Sequence, residues 1–597
     1  MIDRRRPVLD GDLVSRVALA WLLAALLALA MGWSGLSALQ PIGPDDGLRL
    51  VQVRDLYAGQ SWFDMTQARV DAPSGGISLH WSRLVDLPLL AVIAAITPIA
   101  GERIAEQAAL AIVPLLTLFL VLLLAARIAS RMTGGRMEGT KAILPTCLAL
   151  VAASPIFAQL RVLRIDHHGW QIVLALLALN GLTARDARRG GVVVGIAMAA
   201  WLAISVEGLP LAAAFLAIAG WRWLRDPDEG ALLLSATATF AGASVAIYLG
   251  TRGFGDLSTA CDAIGPGHLA AFAIAGAGCW WAVWEEPGSR FRRIVWLGGI
   301  AIAALVPLAT SAPQCVGGGF AGIDPLVRER WLDQVAEGLP LWRRGPGEIL
   351  LNTVPVLLAL WGGAKLAGRS HGWLRAFWVE YVLLLCAAFV VGLLVSRAGA
   401  VALAFSAPVL GWLVAGWIET LRTAHLARRR LTAIAGMAAA LAPALPFTLL
   451  SLGSPAIASF EREDGVVLQA CTGDYAELAA HIGTGEEVLT PLDLGPILLL
   501  ETRGTVIATA HHRGDRAIRA QIDIMEAQPG TARRLLAERG TAWVAACRAH
   551  YELFDHGQYA PGSLAARLRA GAAPEWLEPV VAPVDAGTPA LWRIRPE

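Results

Sequence analysis

Residues 161–169 read RVLRIDHHG, a carboxylate and two imidazoles in consecutive positions (Asp166, His167 and His168) with Arg161 and Arg164 beside them. They stand between two apolar runs, where ionisable side chains are costly and usually functional. A carboxylate oxygen and neutral imidazole nitrogens are ligand types for a divalent cation; the mixed set favours Mn²⁺ over Mg²⁺, with either able to bind. The plain alternative is a helix cap followed by a solvated histidine pair.

Five other places carry chemistry of the same kind. GPDDGLRLVQVRDLYAG (43–59) brings Asp45 and Asp46 ahead of Arg49, Arg54 and Asp55. Taken alone, the acids suit a helix start, where carboxylates cap backbone N–H groups. Glu207 (SVEGLP) and Glu337 (QVAEGLP) sit at outward helix ends or loops, each also readable as a plain solvated acid, and Arg397 is the one charge in VSRAGA. An arginine there either snorkels or grips an anionic headgroup. TAHHRGD (509–515) adds a second histidine pair, read first as a turn or helix start, with metal or acceptor contact as the alternative.

These residues are carried by a very apolar chain. Of its 597 residues, 56% are hydrophobic and 16% charged, with a mean hydropathy of +0.56; average soluble proteins are about 25% charged. Repeated runs of roughly 20 apolar residues are long enough to cross a bilayer as helices. The net charge of +1 gives no footprint for nucleic acid. The seven cysteines show no metal-binding spacing; Cys471 and Cys547 either pair in an oxidising compartment or stay as buried thiols.

Basic clusters mark the cytoplasmic side: Arg4–Arg6, 127–141, 184–189, 221–225, 289–293, 365–375 and 422–430. Keeping all of them on one side requires an even number of crossings between neighbours. The run at 84–100 is then an interfacial helix on the outer face. Crossings fall near 14–39, 103–126, 142–160, 170–184, 191–206, 209–222, 231–249, 268–284, 294–311, 347–364, 376–395, 398–419 and 431–452, about 13 helices of bilayer length. The expected topology puts the N-terminus inside and the C-terminus outside, in the periplasm of an inner membrane. The first external loop (40–102), the 161–169 turn, Glu207, the 312–346 loop and Arg397 would share the outer face. The expected domains are a membrane domain, 1–452, and a soluble domain, 453–597, in which 486–515 reads strand, turn, helix, strand and 529–547 reads helix, strand. That alternation argues for an α/β domain.

This layout resembles the GT-C membrane glycosyltransferases, and more closely the catalytic subunit of single-subunit bacterial and archaeal oligosaccharyltransferases. The resemblance rests on DDGLRLVQVRD in the first external loop, IDHHG after the third helix, the glutamate of QVAEGLP, the arginine of VSRAGA and TPLDLGP in the soluble domain. It implies a polytopic helical fold with a C-terminal α/β domain. The implied reaction moves a sugar or oligosaccharide from a polyprenyl phosphate or pyrophosphate donor to an acceptor on the outer face, with inversion at the anomeric carbon. By the resemblance Asp46, Asp166 and His167 or His168 hold Mn²⁺ or Mg²⁺. Glu337 contacts acceptor and metal, Arg397 the donor phosphate with Arg164 adding positive charge, and Asp493 and Gly495 the acceptor. Pro491 and Leu492 stand where the family has a tryptophan pair that reads an Asn sequon. Protein, lipid and polysaccharide acceptors therefore all stay open, and a transporter or flippase, or an assembly protein, is the rival class.

Overall fold

The computed structural model describes residues 10–133, 136–445, 471 and 475–596. Arg4–Arg6 and the expected domain boundary at 452–453 lie outside them. The chain forms two compact units, 1–34 with 82–321 and 336–450, and 35–81 with 322–335 and 451–597.

The first unit is helical throughout. Among the described residues the apolar runs expected to cross a bilayer lie on helices, that at 142–160 on two and that at 431–452 as far as Leu441, because a backbone removed from water must pair its own N–H and C=O groups. Among the described residues nine helices are long and apolar enough to span, or ten if the bent pair Met137–Ala152 and Ser154–Leu160 counts as one. This is fewer than the expected number. His168–Gly181, Leu209–Arg225 and Ala427–Leu441 have 14, 17 and 15 residues, and glycine and tryptophan dilute Pro266–Trp284. Arg83–Ala100, expected to lie in the interface, is itself long and apolar enough to span. The pair at 137–160 bends by 80°. Ala153 is extended there and Pro155, with no N–H to donate, starts the next helix.

Small residues set the tightest packing. A Cβ on Gly191 would lie 2.6 Å from the Leu232 carbonyl, and one on Gly195 2.6 Å from the Ala236 carbonyl. Glycines four apart thus let Ala187–Ile204 and Gly230–Arg252 touch backbone to backbone. At the other extreme, Arg290–Ser311 leaves Ile302, Leu305 and Val306 more than half exposed, an apolar surface suited to lipid. Deep in the unit the Glu380 carboxylate takes Arg222 Nη2 at 2.7 Å and Nε at 2.9 Å. Cys261 and Cys315 form a disulfide.

The second unit is α/β. Strands β1 (Thr66–Gln67) and β2 (Ile77–Ser78) make a small antiparallel ladder. Strands β3 (Glu487–Leu489), β4 (Thr505–Val506), β5 (Trp543–Ala546), β6 (Leu577–Val581) and β7 (Ala590–Ile594) form one mixed sheet in the order β4-β3-β5-β7-β6. β3 runs parallel to β4 and β5, and β7 antiparallel to β5 and β6. The helices Gly495–Glu501 and Pro529–Arg539 precede β4 and β5, as the 486–515 and 529–547 readings expected. Cys471 and Cys547 are disulfide-bonded, so the pairing alternative holds.

Residues 35–81 are woven into this unit. Val70 bridges Val506 in parallel, extending the sheet beyond β4. Arg69 Nη1 donates to the Leu499 and Thr502 carbonyls at 3.0 and 3.1 Å, and Arg54 Nη1 to the Leu500 carbonyl at 2.6 Å. Arg539 Nη2 reaches Asp71 at 2.8 Å and Glu487 at 2.9 Å. Val327 from the 322–335 segment enters the same apolar core as Leu489 and Val544.

Candidate active site

In the first unit the chain stops being helical at Arg161 and restarts at His168. The turn between them is pinned where Leu163, at φ 73°, donates its N–H to the Leu110 carbonyl at 2.8 Å. Asp166 and His168 are buried and His167 is half-buried. Asp166 Oδ1 accepts from the His167 backbone N–H at 2.7 Å and lies 2.5 Å from His167 Nδ1, and Oδ2 lies 3.2 Å from His168 Nε2. One carboxylate is thus straddled by two imidazoles whose ring centres are 4.3 Å apart. Burial, then the His167 ring, push His168 down to about 3, with the charges of Arg397 and Arg164 adding to the effect. A neutral imidazole with a lone pair to give is the form a metal ligand needs.

Arg397 is the middle residue of the short turn Ser396–Ala398 between Gly372–Leu394 and Gly399–Thr423. Its backbone carbonyl accepts from Gln159 Nε2 at 3.4 Å, which ties this turn to the helix leading into Asp166. Arg397 Nε donates to Glu207 Oε2 at 3.2 Å, Nη2 to Glu207 Oε1, and Nη1 to Glu337 Oε1 at 3.2 Å. Burial would raise the Glu207 carboxyl, but the guanidinium beside it holds it below its usual range. Ser396 Oγ donates to the Glu337 carbonyl at 2.9 Å, fixing that loop to the same turn. The structure therefore gathers Asp166, His167, His168, Arg164, Arg397 and Glu337 in one unit and adds Glu207, which sequence reasoning noticed without a role.

Asp46, Asp493 and Gly495 belong to the second unit. Gly43 precedes the Pro44–Tyr57 helix, Pro44 fills its first turn, and Asp46, three residues in, returns its Oδ2 to the Gly43 N–H at 3.1 Å. The cap expected of this acid is present. Its carboxylate is fully buried, and Asp45 is half-buried. Arg49 lies under the Trp81 ring, 4.4 Å from its centre. The helix packs on Gly495–Glu501, where a Cβ on Gly47 would sit 3.0 Å from Pro496. Asp493 takes the Tyr551 hydroxyl at 2.7 Å, and Glu552 accepts the Leu492 and Asp493 N–H groups at 2.9 and 3.4 Å. Gly495 must be glycine, since a Cβ would come within 2.9 Å of the Ala508 carbonyl. Leu492 is buried.

No protein-family model matches the chain, and no curated protein does either. Solved structures do. The apo oligosaccharyltransferase of Archaeoglobus fulgidus aligns with a TM-score of 0.61 at 15% identity, over 94% of this chain and 73% of that one. The oligosaccharyltransferase AglB of Archaeoglobus fulgidus with an inhibitory peptide and a dolichol-phosphate aligns at 0.60 and 15% identity, over 94% and 72%. A complex of the enzyme solved in the apo form, with Zn and sulfate, aligns at 0.57 and 14% identity, over 94% and 71%. At these identities the likeness is one of fold: the chain is a polytopic helical membrane protein with a C-terminal α/β region that resembles the GT-C glycosyltransferases, and among them oligosaccharyltransferase.

Proposed function

We propose that the protein is a membrane glycosyltransferase that moves a sugar or oligosaccharide from a polyprenyl phosphate or pyrophosphate to an acceptor on the outer face of the inner membrane. The observation that carries this reading is the Asp166 carboxylate held between two imidazoles, in one unit with an arginine braced by two glutamates. The fold shared with an enzyme solved with a dolichol-phosphate supports the donor class. The related structure with Zn and sulfate supports a divalent cation.

The residues fit such a cation, because Asp166, His167 and His168 each offer a ligand atom, all within 4.8 Å of one another. Asp166 with His167 or His168 would hold Mn²⁺ or Mg²⁺. When bound, the cation would offset the negative charge that develops on the departing phosphate. Arg397 spends three of its five N–H groups on Glu207 and Glu337, which leaves two for a donor phosphate oxygen. Arg164 adds positive charge to the same region. Glu337 would orient the acceptor nucleophile. Attack at the anomeric carbon breaks its bond to the phosphate oxygen and inverts the centre. Asp493 and Gly495 would contact the acceptor from the soluble domain, 453–597. Disulfides in the 251–346 region and in the C-terminal unit suit the oxidising side of the membrane.

A second reading keeps the chemistry and changes the acceptor to lipid or polysaccharide. Buried Leu492, in place of an aromatic sequon reader, favours it. One experiment tests both. Purified protein receives a labelled lipid-linked donor pool with Mn²⁺ or EDTA, beside Asp46→Ala and Asp166→Ala, and products are split into protein, polysaccharide and lipid. Metal-dependent label lost in both variants establishes transfer, and the labelled fraction identifies the acceptor. Label indifferent to EDTA and to both variants sinks the reading and leaves transport or assembly.

A further inference from the structure

The TAHHRGD pair, which the proposed reaction does not use, meets a third histidine from the first external loop. Val70 bridges Val506, and the two segments run on from that bridge. One passes through β2 to Leu79 and His80, the other through Thr509 to His511 and His512. The turn closing the second segment, where the Gly514 N–H bonds the His511 carbonyl at 2.8 Å, lies on Ile77 of β2. The register therefore delivers His80, His511 and His512 to one place, the first two 431 positions apart in sequence.

His80 Nδ1 lies 3.1 Å from His511 Nε2. Ring centres are 4.7 Å apart for His80 and His512, 5.0 Å for His511 and His512, and 5.1 Å for His80 and His511. Each residue offers one nitrogen, and the three lie within 4.8 Å of one another. His511 is buried, and the Trp81 ring, edge-on at 5.2 Å, walls one side. A hydrogen bond between two imidazoles accounts for the His80–His511 approach alone.

We propose that His80, His511 and His512 form a divalent-metal site of the Zn²⁺ class. Nitrogens bound to one tetrahedral Zn²⁺ at about 2.0–2.1 Å lie about 3.3 Å apart, close to the observed His80–His511 spacing. An all-imidazole set suits Zn²⁺, Co²⁺ or Cu²⁺ and gives Mg²⁺ none of the oxygen ligands it requires. Three protein ligands leave a fourth position for an exchangeable oxygen. The ligand set shares no residue with Asp166, His167 and His168, and the inference stands whether or not the chain transfers sugar.

The test uses the full-length protein in lipid nanodiscs, stripped with EDTA and titrated with Co²⁺, then with Zn²⁺. Four-coordinate Co²⁺ on three imidazoles gives strong visible absorption, whereas a carboxylate- and water-rich octahedral site gives only a faint band. The strong spectrum is expected in wild type and in Asp166→Asn, to be displaced by Zn²⁺ and not by Mg²⁺, and to vanish in His511→Asn and His512→Asn. Amide exchange of β3 and β5 shows that each variant is folded, and half-exposed His512 is the position least able to disturb the fold. A folded wild type without that spectrum, or one whose spectrum survives both histidine changes, overturns the site. Loss of the spectrum in Asp166→Asn alone would assign the ion to the other set and overturn it equally. Sugar transfer, read separately, tells failure of the proposed function apart from failure of this site.

Discussion

Arg397 meets Glu207 across 190 residues of sequence, its Nε 3.2 Å from one carboxylate oxygen and its Nη2 on the other. The paired geometry fixes the guanidinium plane, which a lysine cannot reproduce. Glu207→Gln is expected to loosen that plane and to lower kcat/KM for the lipid-linked donor by about tenfold or more, with KM rising; truncating one partner of a buried charge pair costs about 2–5 kcal/mol. Arg397→Lys should lose as much and Arg397→Ala more. Donor-titrated transfer kinetics check this, and unchanged KM in all three variants would remove Arg397 from the donor site.

Removing the Asp166 carboxylate takes away the oxygens that the two imidazoles face, Oδ1 towards His167 and Oδ2 towards His168. Asp166→Asn should weaken Mn²⁺ activation by roughly 10–100-fold or more, the loss common even when a mere supporting partner is removed. His167→Ala and His168→Ala together identify which ring matters, read from the Mn²⁺ concentration that gives half-maximal transfer.

Glu552 is set against Asp493 in the soluble unit. Burial first, and then the Asp493 charge, push it up to about 8. A carboxyl raised above its ordinary value near 4.3 favours the fold as the protonated acid. Its contribution is complete below the ordinary value and is lost as pH rises through about 8. Glu552→Gln cannot ionise, so its stability relative to wild type should rise between pH 6 and pH 9. Amide exchange in β3 and β5 at several pH values reads this, and a difference that is flat with pH would contradict it.

Glu380 and Arg222 pair at 2.7 Å, with the glutamate side chain 1% exposed. Glu380→Leu alone strands the guanidinium and should cost about 3–5 kcal/mol, whereas Glu380→Leu with Arg222→Met should recover most of it. Thermal unfolding in detergent, compared as a double-mutant cycle, gives the coupling.

Non-reducing denaturation followed by thiol alkylation should label three cysteines, Cys147, Cys279 and Cys386, and seven after reduction. Closing the 54-residue span between Cys261 and Cys315 restricts the unfolded chain by about 4 kcal/mol. Cys261→Ala with Cys315→Ala should therefore lower the unfolding temperature at unchanged transfer rate.

The helical membrane fold was legible because bilayer length and apolarity are written locally along the chain. Asp166, His167 and His168 were visible together because they are consecutive. The bracing of Arg397 was not, since Glu207 and Glu337 come from turns 190 and 60 residues away. His80 drew no attention because its partners lie beyond the last membrane helix, and Cys261 gave no sign of Cys315. The short helices from His168 and Leu209 read as full crossings because hydropathy shows where an apolar run lies more clearly than where its helix ends. Residues 35–81 looked like a loop because their strands are two residues long and the partners of Val70 and Arg69, namely Val506, Leu499 and Thr502, come more than 400 residues later.

The placement of that segment has a consequence for biosynthesis. Val70 and Arg69 leave the ribosome more than 400 residues ahead of the strand and carbonyls they bind. At about 5–20 residues per second they wait tens of seconds, with buried groups such as Arg49 and Asp46 still uncovered. Exposed to chaperones and proteases for that interval, residues 35–81 are a part of the nascent chain whose survival depends on translation reaching the end.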